Sequence, residues 1–177
     1  MKKLNQDTIG IEARAQADDH AALKLWLRLL ACSTQIETEI RKRLRIRFGI
    51  TLSRFDYLAQ LYRHPEGLRM NALSRYLMVT GGNITGLTDE LEKEGLVQRE
   101  ALATDRRAFV LTLTAAGRNS FENMASEHEA WIIELMSGLK AADRKILHNL
   151  LGTLRLNIAQ QQQAQLDKPS LSADEAA

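Results

Sequence analysis

The sequence contains one cysteine, Cys32, and two prolines, Pro65 and Pro169. A single cysteine excludes an intrachain disulfide framework and a zinc site built from several thiolates. The low proline content favours a mostly helical chain, because proline interrupts helices. The histidines are far apart in the sequence and never at the spacing of paired metal ligands: His20, His64, His128 and His148. We therefore expect neither a metal centre nor a cofactor.

Long apolar runs are also missing. No uninterrupted apolar stretch of about eighteen residues occurs, so we expect no membrane-spanning helix. The N-terminal residues begin with Met-Lys-Lys but then turn polar and acidic, without the apolar segment of a secretory signal. We therefore expect a cytoplasmic protein. The 177 residues are 45% hydrophobic and 26% charged, which is typical of globular proteins. The net charge of +2 neither requires nor forbids a nucleic-acid partner, so the distribution of charge matters more than its total.

Catalytic motifs are equally scarce. The pair Gly81-Gly82 lacks the lysine and the spacing of a phosphate-binding loop, and no Gly-x-Ser-x-Gly motif occurs. The sequence therefore predicts a protein that is not an enzyme.

Helical periodicity dominates the first half of the chain. From His20 to Phe48 the apolar residues recur at steps of three and four, which predicts a long amphipathic helix ending at Gly49. A shorter helix follows with Ser53 as its N-cap, and Pro65-Glu66-Gly67 ends it. Two further helices, over about 69–76 and 81–94, predict a helix-turn-helix, with Gly95 ending the second.

Two short strands and two long helices complete the prediction. Residues 96–100 and 109–113 are typical of strands, and the polar, basic segment 101–108 (ALATDRRA) connects them as a hairpin, or wing. Thr114 can cap a helix that carries Phe121, Met124, His128, Trp131 and Leu135, and a last helix carries an apolar stripe from Leu147 to Ile158. The predicted fold class is mainly α with a small β-hairpin wing, a winged helix-turn-helix flanked by long helices.

The long helices have more apolar surface than the small middle module can cover. A second copy of the chain would bury these stripes, which predicts a twofold homodimer. Packing within one chain is the alternative. We expect helical dimerisation segments at 20–48 and 115–163, a winged helix-turn-helix at 49–114, and flexible tails at 1–19 and 164–177.

The helix over 81–94 has the residue pattern of a DNA-reading helix. At about 100° per residue, Ile84, Leu87, Thr88 and Leu91 share one buried face. The outward residues of the first two turns are small or form hydrogen bonds, as in a helix inserted into the major groove. The acidic residues Asp89, Glu90, Glu92 and Glu94 would repel phosphate, so we predict that only the N-terminal half enters the groove. The alternative is that Gly81-Gly82 forms the turn before an ordinary surface helix.

The segment Asp105-Arg106-Arg107 falls at the expected tip of the hairpin. An arginine there can enter a narrow minor groove, and the neighbouring aspartate can orient its guanidinium. A solvated charged turn is the alternative. The chain from Leu52 to Gly117 resembles the MarR (multiple antibiotic resistance regulator) family of winged-helix transcription factors, through VTGGNITGLTDELEKEGLVQRE and DRRAFVLTLTAAG. With the flanking helices, the resemblance covers about residues 20–163.

The resemblance implies a dimer that binds double-stranded DNA. It implies that Arg106 and Arg107 serve the minor groove and that five residues lie at the major groove: Thr80, Gly82, Asn83, Thr85 and Gly86. Near helix starts, Arg54, Arg69 and Arg75 are candidate phosphate contacts, which position a protein without specifying sequence. The basic segment RKRLRIR at 41–47 is interpreted as a solvated helix face, with phosphates or an anionic ligand as the alternative.

The resemblance also implies a small-molecule effector, since members of this family commonly bind aromatic or phenolic ligands or respond to oxidants. Candidate pocket residues, each more often plain core, are Trp26, Phe48, Phe55, Tyr57, His128 and Trp131. The segment GGNITGL at 81–87 is similar to regulators of aromatic-acid degradation, some of which sense acyl-CoA thioesters. The cations of 41–47 would then bind the CoA phosphates.

Several functional alternatives stay open. We expect Cys32 to be a small buried residue, with thiol-redox sensing as the alternative. Repression relieved by ligand is the expected logic, with activation as the alternative. A winged-helix protein–protein interaction module without DNA binding is a further alternative, although such a module has no reason to keep Arg106 and Arg107 at a wing tip.

Overall fold

A computed structural model describes the backbone of residues 20–77, 81–102 and 105–166, and the side chains of these except 81–83, 102 and 105–108. The predicted tail 1–19 and residues 167–177 of the predicted tail 164–177 lie outside the described residues, whereas residues 164–166, predicted as tail, are helical and continue the last helix. The helices are α1 (Ala21–Phe48), α2 (Leu52–Arg63), α3 (Met70–Leu77), α4 (Gly81–Lys93), α5 (Ala115–Leu135) and α6 (Ala141–Leu166). The strands are β1 (Leu68–Arg69), β2 (Val97–Leu102) and β3 (Asp105–Leu113). This order confirms the predicted fold class. Among the described helices, none has the length and apolarity needed to cross a membrane.

The ends of the first two helices show which sequence signals were correct. Gly49 adopts a left-handed conformation with φ 69°, and its N–H donates to the Arg45 carbonyl at 3.1 Å, so α1 ends where predicted. The predicted N-cap of α2 was wrong. Thr51, not Ser53, has the extended backbone of a cap, and its Oγ1 accepts the Arg54 N–H at 3.3 Å.

The sheet has one more strand than predicted. In the order β1-β3-β2, the central strand β3 pairs antiparallel with both neighbours. Arg69, predicted to begin a helix, lies instead in β1 opposite Val110. The hairpin connection is shorter than the predicted loop over 101–108, because Leu102 already pairs with Asp105. Asp105, Arg106 and Arg107 are therefore the first residues of β3, beside the turn, rather than part of a loop.

A shared core fixes α2, α3, α4 and the sheet against one another. The side chains that are fully buried in it include Tyr57, Leu58, Leu61, Leu73, Ile84, Leu91, Val97 and Leu111. Burial of each large apolar side chain contributes roughly 1.5–3 kcal/mol. On α4, Ile84, Thr88 and Leu91 are buried and Leu87 is half-buried, which confirms the predicted inner face.

The chain divides into two compact units, the first ending at Trp131 and the second beginning at Ile132. In the first unit, residues 21–35 of α1 are exposed or half-buried throughout. Cys32, predicted to be buried, is exposed for that reason. In the second unit, α6 has no buried residue, and it exposes an apolar row: Ile146, Leu147, Leu150, Leu151, Leu154 and Ile158.

Candidate nucleic-acid interface

A buried hydrogen bond holds α4 against α2. The Thr88 hydroxyl donates to the Ile84 carbonyl at 2.7 Å, so its single proton is used. The Tyr57 hydroxyl, 2.7 Å away, must then be the donor to Thr88 Oγ1. Burial raises the pKa of Tyr57 to about 12, which keeps the phenol protonated at neutral pH. The inner face of α4 is therefore fixed by a directional bond as well as by apolar packing.

The opposite face of α4 is exposed at Thr85 and Gly86, where the structure describes it. A Cβ added at Gly86 would meet no atom within 4 Å. With Asn71 and Ser74 of α3, Thr85 lines a cavity of about 400 Å³. Small polar side chains leave room for close approach by another molecule, as major-groove insertion requires.

Some predicted contact residues can be placed only by their backbone. Gly82 and Asn83 lie in the first turn of α4, whereas Thr80 falls outside the described residues. At the wing, Asp105, Arg106 and Arg107 begin β3. For Gly82, Asn83, Asp105, Arg106 and Arg107 the structure describes only the backbone.

Arginines of this chain pair with carboxylates in the second half of α4 and just after its end. Arg99 of β2 donates a hydrogen bond from Nη2 to Asp89, and its Nε lies 3.4 Å from Glu92 Oε2. The hydrogen bond to Asp89 raises the pKa of the Arg99 guanidinium. Arg54 of α2 pairs in the same way with Glu94. Neither pairing was predictable from the sequence, because each joins segments whose proximity depends on the fold.

The predicted phosphate contacts therefore differ in their surroundings. The Arg54 side chain is 18% exposed and held by Glu94. Arg69 is exposed in β1, and Arg75 is exposed in α3. Arg69 and Arg75 are accessible to a phosphate, whereas Arg54 would have to leave its carboxylate partner to bind one.

The basic segment 41–47 is partly neutralised by neighbouring carboxylates. Arg41 pairs with Glu37, Arg43 Nε donates to Glu39 Oε1 at 2.8 Å, and Arg47 lies 3.5 Å from Glu127. On one side of this segment is a cavity of about 300 Å³, lined by Arg41, Lys42, Arg45, Ile50, Thr51 and Leu52. The predicted solvated face thus also contributes three cations to a concave surface.

The structure brings together some of the candidate pocket residues. The Phe55 and His128 rings are 4.9 Å apart, and those of Phe48 and Trp131 are 6.1 Å apart. His128 and Trp131 are three residues apart on α5 and so share a face. Two candidates lie elsewhere: Tyr57 belongs to the core beside Thr88, and Trp26 is exposed near the start of α1. We call Phe48, Phe55, His128 and Trp131 the aromatic cluster.

Two titratable groups lie at the aromatic cluster. Burial lowers the pKa of His128, although the nearby Asp56 carboxylate opposes this. Burial raises the pKa of Asp56, which interacts with His128 and then with Arg41 of α1. Asp56 was not predictable as a site residue, because a lone aspartate inside a helix has no distinguishing sequence pattern. The cluster therefore combines ring faces with a half-buried acid and imidazole.

Comparison with known proteins adds independent information. The sequence model of the MarR family matches residues 48–108. Over 72% of its length the chain is 30% identical to an uncharacterized HTH-type transcriptional regulator of Bacillus cereus, covering 84% of that protein. It is 29% identical to the transcriptional activatory protein BadR of Rhodopseudomonas palustris, covering 82% of this chain and 85% of BadR. A crystal structure of a MarR family transcriptional regulator from Silicibacter pomeroyi superposes with a TM-score of 0.67 at 29% identity, covering 81% and 99% of the two chains.

Proposed function

The chain belongs to the MarR family of winged-helix transcriptional regulators, and we propose that it is a repressor that binds a near-palindromic operator as a homodimer and is released by a small effector. Family membership makes it a DNA-binding regulator and not an enzyme. Our proposal comprises the operator geometry, the contact residues, the effector and a cytoplasmic location for the protein.

The exposed face of α4 carries the proposal. Its inner face is fixed by Ile84, Thr88 and Leu91, so its outer face must point away from the core. Thr85 and Gly86 are exposed there, and Gly82, Asn83 and Thr80 precede them at the start of the helix or just before it. We assign these residues to the major groove, because small or hydrogen-bonding side chains let a helix approach base edges.

The wing and the first sheet strand would add backbone and minor-groove contacts. Arg106 and Arg107 lie beside the hairpin turn, where a guanidinium can reach a narrow minor groove, and Asp105 can orient it. Arg69, exposed on β1, would bind a phosphate. Arg54 would bind one only after leaving Glu94.

A homodimer accounts for the exposed apolar residues of α1 and α6. Large exposed apolar patches mark interaction surfaces, and Leu23, Trp26 and Leu30 on α1 form one such group. The row from Ile146 to Ile158 on α6 forms another. We propose that 20–48 and 115–163 build the dimerisation region and that 49–114 form the DNA-binding module. A twofold dimer would place its two α4 helices in successive major grooves, about 34 Å apart.

Footprinting on the DNA upstream of its own gene tests this geometry. The proposal predicts two symmetric protected half-sites with centres about 10 base pairs apart, or a multiple of that. When Arg106 and Arg107 are replaced by alanine, protection should be lost at the flanking minor grooves before it is lost at the major grooves. A single protected half-site would refute the homodimeric mode of binding.

The effector we propose is an aromatic acid or its CoA thioester, bound at the aromatic cluster. The half-buried rings of Phe48, His128 and Trp131 can stack on an aromatic group, whereas the neighbouring Phe55 ring is itself buried. Asp56 interacts electrostatically with both His128 and Arg41, and Arg41 lines the cationic cavity together with Lys42 and Arg45. These cations would take the phosphates of a CoA thioester. BadR of Rhodopseudomonas palustris is a transcriptional activatory protein, so activation remains the alternative to repression.

Calorimetry with benzoyl-CoA, benzoate and free CoA tests the effector class. Saturable binding of benzoyl-CoA at tens of micromolar, weakened by Trp131→Ala, would support the thioester. Binding of benzoate alone would support an aromatic acid. If none of the three bound, benzoate and its CoA thioester would be excluded as effectors.

Thiol-redox control through Cys32 is the second candidate, because the structure exposes this residue. Accessible thiolates are the ones that oxidants attack first. Peroxide-induced release of operator DNA should then disappear in Cys32→Ser. Unchanged release in that variant would eliminate Cys32 as the sensor.

A further inference from the structure

The second half of α4 presents carboxylates close to the surface that reads DNA. Asp89 lies three residues after Gly86 and four after Thr85, so it shares their exposed side of the helix. Glu92 and Glu94 are exposed one turn further on. DNA carries a phosphate charge about every 1.7 Å along its axis. Uncompensated carboxylates at these positions would therefore oppose the insertion of α4.

Arg99 is placed to compensate two of these charges at once. Its backbone belongs to β2 and pairs with the fully buried Leu111, which anchors the residue in the sheet. Its guanidinium hydrogen-bonds Asp89 and lies beside Glu92. The side chain is 29% exposed, and within the described structure its Nε is buried without a hydrogen-bond partner. The guanidinium thus points toward α4 and pairs with two of its carboxylates.

Arg54 provides an internal comparison. It pairs with Glu94, which follows the last residue of α4 and lies further from the exposed first half of the helix. Loss of the Arg54 charge should therefore weaken DNA binding less than loss of the Arg99 charge.

We propose that Arg99 is a positioning residue for operator binding, which neutralises Asp89 and Glu92 without itself binding a phosphate. This inference rests on the proposed insertion of α4 into the major groove. Removal of the guanidinium would leave two carboxylates facing DNA, so affinity would fall although no DNA contact had been lost. Removal of the two carboxylates as well would abolish the repulsion.

The test is an operator titration with the full-length chain and a set of matched variants. Arg99→Met is expected to weaken binding about tenfold, within the usual range of coupling between contacting residues. Asp89→Asn with Glu92→Gln, added to Arg99→Met, is expected to restore affinity to within about threefold of the wild type. Arg99→Lys keeps the charge and should lose little, and Arg54→Met should lose less than Arg99→Met. Thermal unfolding of each variant shows that the chains compared are folded.

The salt dependence of binding distinguishes neutralisation from direct contact. A residue that binds no phosphate leaves the slope of log affinity against log salt unchanged when it is replaced. A triple variant as weak as Arg99→Met would overturn the proposal. A slope smaller by about one in Arg99→Met would also overturn it, because Arg99 would then bind a phosphate itself. The double variant Asp89→Asn/Glu92→Gln, with Arg99 intact, must also keep wild-type affinity or exceed it, and a loss would overturn the proposal.

The wild-type chain in the same titration separates two kinds of failure. If the wild type does not bind the operator, the proposed function fails. If the wild type binds and the triple variant is not restored, only the role assigned to Arg99 fails.

Discussion

The hydroxyl oxygens of Tyr57 and Thr88 lie 2.7 Å apart, and both side chains are fully buried. Since Thr88 donates its own proton to the Ile84 carbonyl, Tyr57 donates to Thr88. This bond connects α2 to the helix that we assign to the major groove. Its geometry decides how the exposed face of α4 is presented.

Tyr57→Phe should lower the free energy of unfolding by about 0.5–1.5 kcal/mol, because it removes one buried hydrogen bond while keeping the ring. Thr88→Val should cost more, about 1–3 kcal/mol, because it leaves the buried Tyr57 hydroxyl without an acceptor. Urea denaturation at a fixed protein concentration measures both. Tyr62→Phe is the matched control, since its hydroxyl bonds Glu122 at the surface, and it should change stability by less than about 0.5 kcal/mol. An equal loss in Tyr57→Phe and Tyr62→Phe would contradict the structural role of the buried bond.

Gly86→Ala should raise the stability of the free protein but weaken its binding to the operator. The helix there has room for a methyl group, and alanine is favoured over glycine in a helix by about 1 kcal/mol, so the free protein should become more stable. The same methyl group would project from the face assigned to the groove, so operator affinity should fall. Thermal unfolding and fluorescence anisotropy give the two quantities. A variant that binds the operator as tightly as the wild type would show that Gly86 does not approach DNA.

Gly117→Ala should have the opposite effect on stability. A Cβ at this position would overlap the carbonyl oxygen of Leu96, which is rigid backbone in the turn after α4. At the same junction Thr114 Oγ1 accepts the Gly117 N–H at 2.9 Å and donates to the Gly95 carbonyl at 2.7 Å. The substitution must therefore displace the start of α5, and we expect a loss of at least about 2 kcal/mol, measured by urea denaturation. Wild-type stability in Gly117→Ala would show that this junction is not tightly packed.

Acid should destabilise the protein through His128. Burial lowers its pKa below the ordinary value of 6.5, so between the two values the unfolded chain binds more protons than the folded chain. The free energy of unfolding is then lost as pH falls from about 6.5 toward the lowered pKa. Asp56 acts in the opposite direction: its raised pKa makes the folded chain bind more protons above 3.8, so acidification through that window stabilises the fold.

Urea denaturation at about pH 7.5 and about pH 5.5 measures how much His128 contributes to this loss of stability. The loss on acidification should be smaller in His128→Gln than in the wild type. His148→Gln, at an exposed position on α6, is the control and should retain the full loss. An identical pH dependence in all three proteins would contradict the assignment to His128.

Leu150→Arg should weaken the proposed homodimer. Leu150 is 62% exposed and lies in the apolar row of α6, where a second copy would have to bury the new charge. Asn149→Arg adds the same charge outside the row and should leave the dimer intact. Analytical ultracentrifugation measures the association. Both variants sedimenting as the same dimer would remove α6 from the interface.

Local periodicity allowed most of the helical architecture to be predicted. The inner face of α4 followed from the spacing of Ile84, Thr88 and Leu91, and Gly49 and Gly95 marked helix ends because both adopt positive φ. Strand β1 was missed because two residues show no alternation, and its pairing with β3 joins positions more than forty residues apart.

The site was less predictable because its side chains are arranged by tertiary contacts. Arg54 has the sequence pattern of a phosphate contact near a helix start, yet the fold places it against Glu94. Arg99 has no recognisable motif, and its role depends on the distance between β2 and α4. The burial of Cys32 was predicted wrongly because apolar neighbours in sequence do not show which part of a helix the chain itself covers.

Fluorescence anisotropy with the DNA upstream of the protein's own gene, measured across a salt series beside a scrambled sequence, tests the central claim most directly. The account predicts tight binding to the upstream DNA alone, with an affinity that falls steeply with salt as expected for about 6–10 phosphate contacts. Equal weak binding to both sequences, or binding to neither, would contradict an operator-binding repressor and would favour a winged-helix module that binds other proteins.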